Sequence, residues 1–132
     1  MTRAAALVRQ LLAFARRETL VAVGVHRARA LAVTFDDTAA ALRALEIRAE
    51  VLAKGTRVDG VFDRDPLKHP DAVLHRSISY TDVLARSLGV MDATAVAMCR
   101  DNALPVVVFN LGVPGNIMRV AMGETVGTLI HS

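Results

Sequence analysis

The sequence predicts an α/β protein with a mostly parallel sheet. Two observations carry that expectation. Strand-like and helix-like stretches alternate along the chain, the pattern of crossover helices between parallel strands. The 132 residues are 53% apolar but only 4% aromatic, with no Trp, so the core must be built from Ala, Val, Leu and Ile. That suits helices layered on a sheet better than a β-sandwich, and the length suits one core.

The elements follow in order. Arg3 to Glu18 reads as a helix, with Leu7, Leu11 and Phe14 at helical spacing. Thr19 to Val25 reads as a strand rich in β-branched residues. His26 to Ala32 matches no template. Asp36 or Asp37 can cap a helix through Arg48, whose buried side is supplied by Ala39 to Leu42, Leu45 and Ile47. Val51 to Lys54 reads as a short buried strand. A polar loop follows, from Gly55 past Pro70, and so long an irregular segment is usually functional or mobile.

Ser77 to Tyr80 is a brief extended piece. Thr81 is the expected cap of a helix through Leu88, ended by Gly89. Met91-Asp92 opens another helix to about Asn102. Pro105 to Phe109 is the clearest strand, and three consecutive valines predict burial on both faces. Asn110 to Gly115 reads as a turn, Asn116 to Met122 as a short helix, and Gly127 to Ile130 as a last strand.

Charge and cysteine usage exclude some classes. Sixteen basic residues against thirteen acidic give a net charge of +3, too modest for a nucleic-acid footprint. A single cysteine, Cys99, excludes an intrachain disulfide and fits a reducing, cytoplasmic setting. No apolar run reaches the ~20 residues of a membrane helix. The Arg-rich, acid-poor opening resembles a transit peptide or a membrane-surface helix; an ordinary amphipathic helix lying on a sheet accounts for it as well.

The loop after Lys54 holds the candidate chemistry, because ligands of open α/β sheets sit beyond the carboxyl ends of strands. Lys54 and Arg57 are candidates to neutralise phosphate, and Thr56 can hydrogen-bond. Gly55 and Gly60 can let backbone approach a ligand. Phe62 can lie against a purine, and Asp59, Asp63 and Asp65 can orient a ribose or hold Mg²⁺ through water. A turn-rich surface loop with solvated charges is the competing account. There is no GxxxxGK(S/T) and no GxGxxG. No HExxH or GxSxG occurs either, so a zinc site and a serine hydrolase are not expected. Cys99 lies mid-helix among apolar neighbours, the setting of an inert buried thiol. Asn110 ends the valine-rich strand, where a ligand contact and a turn role are both open.

Several stretches together resemble one family. They are Asp37-Thr38-Ala-Ala-Ala-Leu-Arg-Ala-Leu-Glu46, Lys54-Gly-Thr-Arg-Val-Asp-Gly-Val-Phe-Asp-Arg-Asp-Pro66 and Val90-Met-Asp-Ala-Thr-Ala95. Further along come Leu104-Pro-Val-Val-Val-Phe-Asn110, Pro114-Gly-Asn116 and Met122-Gly-Glu-Thr-Val-Gly-Thr128. Their order and spacing resemble the C-terminal half of bacterial-type UMP kinase, of the amino-acid-kinase superfamily. The resemblance implies a partial three-layer α/β/α sandwich of the amino-acid-kinase type. It implies transfer of the ATP γ-phosphoryl group to UMP to give UDP, with Mg²⁺, in pyrimidine nucleotide biosynthesis. It also implies a homo-oligomer, with neither nucleic acid nor a membrane as partner. The family's TKVDGVYxxDP segment holds ATP, so Thr56, Phe62 and Asp65 are the implied ATP contacts. Asp37 matches the acid after the family's UMP-binding loop and is the implied catalytic residue.

Two departures qualify this. The family's lysine-bearing KLSGE-type strand and GGGN loop have no counterpart. Residues 28–37 stand where the family has a GTGNPFFTTD-like loop. Ala28 to Ala32, preceded by Arg27, can be written in codons whose shifted frame reads Gly-Ala-Gly-Thr-Gly. The chain therefore divides into a divergent helix and strand over 1–35, of possible out-of-frame origin, and an ATP-binding half over 36–132. Impaired transfer is expected, and a catalytically inactive nucleotide-binding remnant or a regulatory module is the alternative.

Overall fold

Val106, Val107 and Val108 sit in the middle of the sheet. Their strand, β5 (Val106–Asn110), lies between β3 (Val51–Thr56) and β6 (Thr128–His131). This is a computed structural model that describes residues 19–23, 31–34, 37–46, 48–49, 51–86, 88–121 and 123–132. Among them the other strands are β1 (Thr19–Val23), β2 (Leu31–Thr34) and β4 (Ser77–Ser79). The helices are α1 (Asp37–Glu46), α2 (Tyr80–Ala85), α3 (Ala93–Asp101) and α4 (Asn116–Ala121). The sheet order is β2-β1-β3-β5-β6-β4.

β3 runs parallel to β5, with Leu52 opposite Val106 and Thr56 opposite Asn110. β4 runs parallel to β6, while β5 and β6 are antiparallel. These four strands are thus mostly parallel, as the alternation predicts. The edge pair β1 and β2 adds antiparallel pairings, which makes the whole sheet mixed. β2 falls partly on the stretch that matched no template; it gains its extended form by pairing Leu31 with Val23.

Alternation along the strands sorts the two faces. Leu52, Val106, Val108 and Ile130 point to one face, where they meet Ala40, Ala41 and Ala44 of α1 and Ala95, Val96 and Cys99 of α3. Each such Leu or Ile contributes about 2 kcal/mol by leaving water. The alanines leave α1 room to lie close to the strands. Ala53 and Phe109 point to the opposite face and pack on Val120 of α4, with half-buried Val107 and Leu111 beside them. Helices on both faces give the three-layer α/β/α arrangement. Val107 is only half-buried, so burial of β5 is less complete on the α4 side than its valines predict.

Two helix starts show what set them. Asp92 caps α3 as expected, accepting from the Ala95 N–H at 2.7 Å. The cap of α2 is Ser79 rather than Thr81; Ser79 is extended and accepts from the Asp82 N–H at 3.1 Å. The helix starts early because Tyr80 is buried and donates its hydroxyl to the Leu104 carbonyl. The helix expected over Arg3 to Glu18 lies outside the described residues.

Candidate nucleotide cleft

At the carboxyl end of β3 the chain leaves the sheet through a tight turn. The Thr56 hydroxyl accepts from the Val58 N–H at 2.9 Å and lies 2.9 Å from the Val58 carbonyl oxygen. Leu111 N–H donates to the Thr56 carbonyl at 2.8 Å, which ties this turn to the end of β5. Thr56 is buried, and its hydroxyl shapes the loop's departure.

The loop then closes on itself. Phe62 pairs antiparallel with Leu74. Asp63 N–H donates to Val73 O at 3.0 Å, and His75 N–H to Val61 O at 2.8 Å. Asp65 heads a single turn: its Oδ1 accepts from the Leu67 N–H at 2.9 Å, and its carbonyl accepts from the His69 N–H at 2.9 Å. Asp63 accepts from the Val73 N–H at 2.8 Å. That backbone bond, helped by the nearby Arg64 guanidinium, holds the Asp63 carboxyl below its ordinary range.

These residues wall a cleft of about 510 Å³, a size suited to a small-molecule ligand. Thr56, Phe62 and Asp65, separated along the sequence, all line it. Across from them stand Arg86, Leu88 and Val90, from the end of α2 and the segment after it, with Val108 of β5 also in the lining. Arg64 and Arg86 are the cations of this lining. Arg86 was not foreseen, because only the folded chain brings it to the loop. Arg57 is exposed and outside the lining.

The predicted phosphate cation Lys54 has another position. Its side chain is buried, its ammonium lies 3.5 Å from Asp37 Oδ1, and it donates to the Val90 carbonyl. The other Asp37 oxygen accepts from the Asp92 N–H at 2.9 Å, and Thr38 donates its hydroxyl to Asp92 at 3.2 Å. Asp37 therefore joins the head of α1 to β3 and to the head of α3. It does not line the cleft itself; Val90 is the link between the two.

The glycines also differ from expectation. A Cβ at Gly60 would meet Thr128 Oγ1 at 2.5 Å, and one at Gly55 would meet Leu111 at 3.2 Å. Gly55 lies outside the cleft lining, whereas Gly60 is part of it, so its backbone borders the cleft while its missing side chain makes room for Thr128. Asn110 takes the turn role: its Oδ1 accepts from the Gly112 N–H at 2.9 Å, and its amide donates to Asp59 at 3.1 Å. Cys99 is buried, and burial pushes its thiol up to about 11, which keeps it protonated and inert. Among the described residues no three His, Cys, Asp or Glu side chains gather to hold a metal ion.

A cleft past the carboxyl end of a central strand, walled by a long loop, is where α/β proteins commonly hold small-molecule ligands. Residues 3–110 match the amino acid kinase family, and the chain belongs to that family. Three solved structures show the likeness. The UMP kinase of Bacillus anthracis is 38% identical over 72% of this chain, with a TM-score of 0.69. The UMP kinase of Ureaplasma parvum is 36% identical over 73%, with a TM-score of 0.68. The uridylate kinase of Archaeoglobus fulgidus is 35% identical over 71%, with a TM-score of 0.60. The chain spans 39%, 41% and 45% of those three chains, less than half of each.

Proposed function

We propose that the cleft binds ATP and that the chain serves ATP-dependent phosphoryl transfer to UMP, giving UDP. The observation that carries this reading is the convergence of Thr56, Phe62 and Asp65 on one cleft. Phe62 offers its ring to the purine. Asp65 keeps one carboxylate oxygen for a ribose hydroxyl, since Leu67 N–H occupies the other. Arg64 and Arg86 offset phosphate charge. Asp37 is assigned to the reacting end, where it holds the Lys54 ammonium beside Val90.

In the transfer, a UMP phosphate oxygen bonds to the γ-phosphorus as its bond to the ADP oxygen breaks. Positioning and charge neutralisation supply most of such catalysis. Asp63 and Asp65, both in the cleft lining, would hold through water a Mg²⁺ carried in on the nucleotide phosphates. Bound there, it would neutralise phosphate charge. Assembly with further copies, a cytoplasmic setting and a place in pyrimidine biosynthesis belong to the same proposal. Among the described residues no helix is long and apolar enough to cross a membrane.

The test is ADP release from ATP by the purified chain, with and without UMP, using Asp65→Ala as control. UMP-dependent release lost in the variant supports the proposal; no release from folded protein overturns the transferase part. The chain spans less than half of each solved relative, which favours a second reading: a nucleotide-binding module without turnover. Thermal stabilisation by ATP–Mg²⁺ without ADP release would select it.

A further inference from the structure

Thr128 opens β6 beside Val108, its antiparallel partner, and is fully buried. It does not line the cleft. Its hydroxyl accepts from the Val61 N–H at 2.9 Å and donates to the His75 carbonyl. Val61 and His75 are the residues just outside the Phe62–Leu74 pairing, one on each leg of the loop. One hydroxyl therefore fastens both legs to the sheet. Gly60 permits this approach, because a Cβ there would stand 2.5 Å from Thr128 Oγ1. The next residue along each leg, Phe62 or Leu74, begins the part that carries Asp65.

We propose that Thr128 is a positioning residue for the nucleotide cleft, setting Phe62 and Asp65 through its two hydrogen bonds to the base of the loop. The proposal rests on the reading of the cleft as an ATP site. Its physical basis is that a buried N–H and a partly buried C=O left without their shared partner cannot both keep their places. A loop released at its base loses the preorganisation that binding requires.

The experiment compares Thr128→Val, Thr128→Ser and Ile130→Val in the full chain. Two readouts are used: ATP–Mg²⁺ affinity by calorimetry, and amide hydrogen exchange at Val61, Asp63 and His75. Thr128→Val should weaken ATP–Mg²⁺ about tenfold and expose those amides, while Thr128→Ser stays within about twofold of the parent. Ile130→Val trims the same buried strand; it should lower the unfolding midpoint without weakening affinity. Gly60→Ala keeps the hydroxyl but crowds it, and should loosen the same amides if Thr128→Val does not fold.

Unchanged protection in Thr128→Val, equal damage from Thr128→Ser, or equal loss of affinity in Ile130→Val would overturn the proposal. If the parent chain binds no ATP–Mg²⁺, the reading of the cleft fails, and the exchange data still decide whether Thr128 holds the loop.

Discussion

The Lys54 ammonium stands 3.5 Å from the Asp37 carboxylate, and 5% of the lysine side chain reaches solvent. The pair spans two layers, one partner in the central sheet and the other at the head of α1. Replacing Asp37 by Ala removes the carboxylate paired with this buried cation. A loss of roughly 2–4 kcal/mol in urea unfolding is expected. Lys54→Met with Asp37→Asn together should recover part of that loss, and a double-mutant cycle measures the coupling.

Phe62 and Asp65 separate binding from folding. Phe62→Ala removes a ring from the cleft wall and should weaken ATP–Mg²⁺ about tenfold, the scale of one lost aromatic contact. Asp65 is exposed, and Asp65→Ala should leave the unfolding midpoint nearly unchanged while weakening the nucleotide by a similar factor. Calorimetry beside thermal unfolding tells the two effects apart.

Asp63 gives a pH prediction with a definite sign. Its folded carboxyl lies below the ordinary 3.8, chiefly because Val73 N–H donates to it. The ionised form is thus favoured in the fold. The stabilisation is present above pH 3.8 and is lost as pH falls through the lower folded value. The Asp63 side-chain carbon shift should titrate below 3.8, and the loop amides should lose exchange protection over the same range.

Gly127 tests the seat of β6. It holds φ +68, and a Cβ there would strike the Val108 carbonyl oxygen. Gly127→Ala combines an unfavourable backbone region with a clash against backbone, so a loss of roughly 2–4 kcal/mol is expected. Chemical denaturation measures it; a midpoint equal to the parent's would count against the position of β6 relative to β5.

Much of this was legible in the chain because local chemistry and tertiary packing agree. The valine run of β5 is a strand wherever it is buried, and Asp92 precedes its helix with the side chain a cap requires. Thr56, Phe62 and Asp65 fall together because Thr56 ends β3 where the loop that carries the other two begins. What stayed hidden depends on distance along the sequence. Arg86 reaches the cleft only after α2 has packed, and Thr128 meets Val61 from 67 residues away. Lys54 looked like a phosphate ligand by its place after a strand, yet strand alternation turns it towards α1 and Asp37. Tyr80 displaced the expected start of α2, because burying its ring outweighs Thr81 as a cap.

The pairing of Phe62 with Leu74 makes the intervening stretch a cassette with a fixed stem. Its ends meet whatever lies between them, and doubling such a loop costs only about 0.6 kcal/mol in closure entropy. Leu67 and Val73, 87% and 62% exposed, contribute little to the core. Sequence drift and insertions between Asp65 and Val73 are therefore cheap, while the stem and the first residues after it stay under constraint. A tip free to vary on a fixed mount lets such a protein change what approaches the mouth of its cleft without rebuilding the cleft.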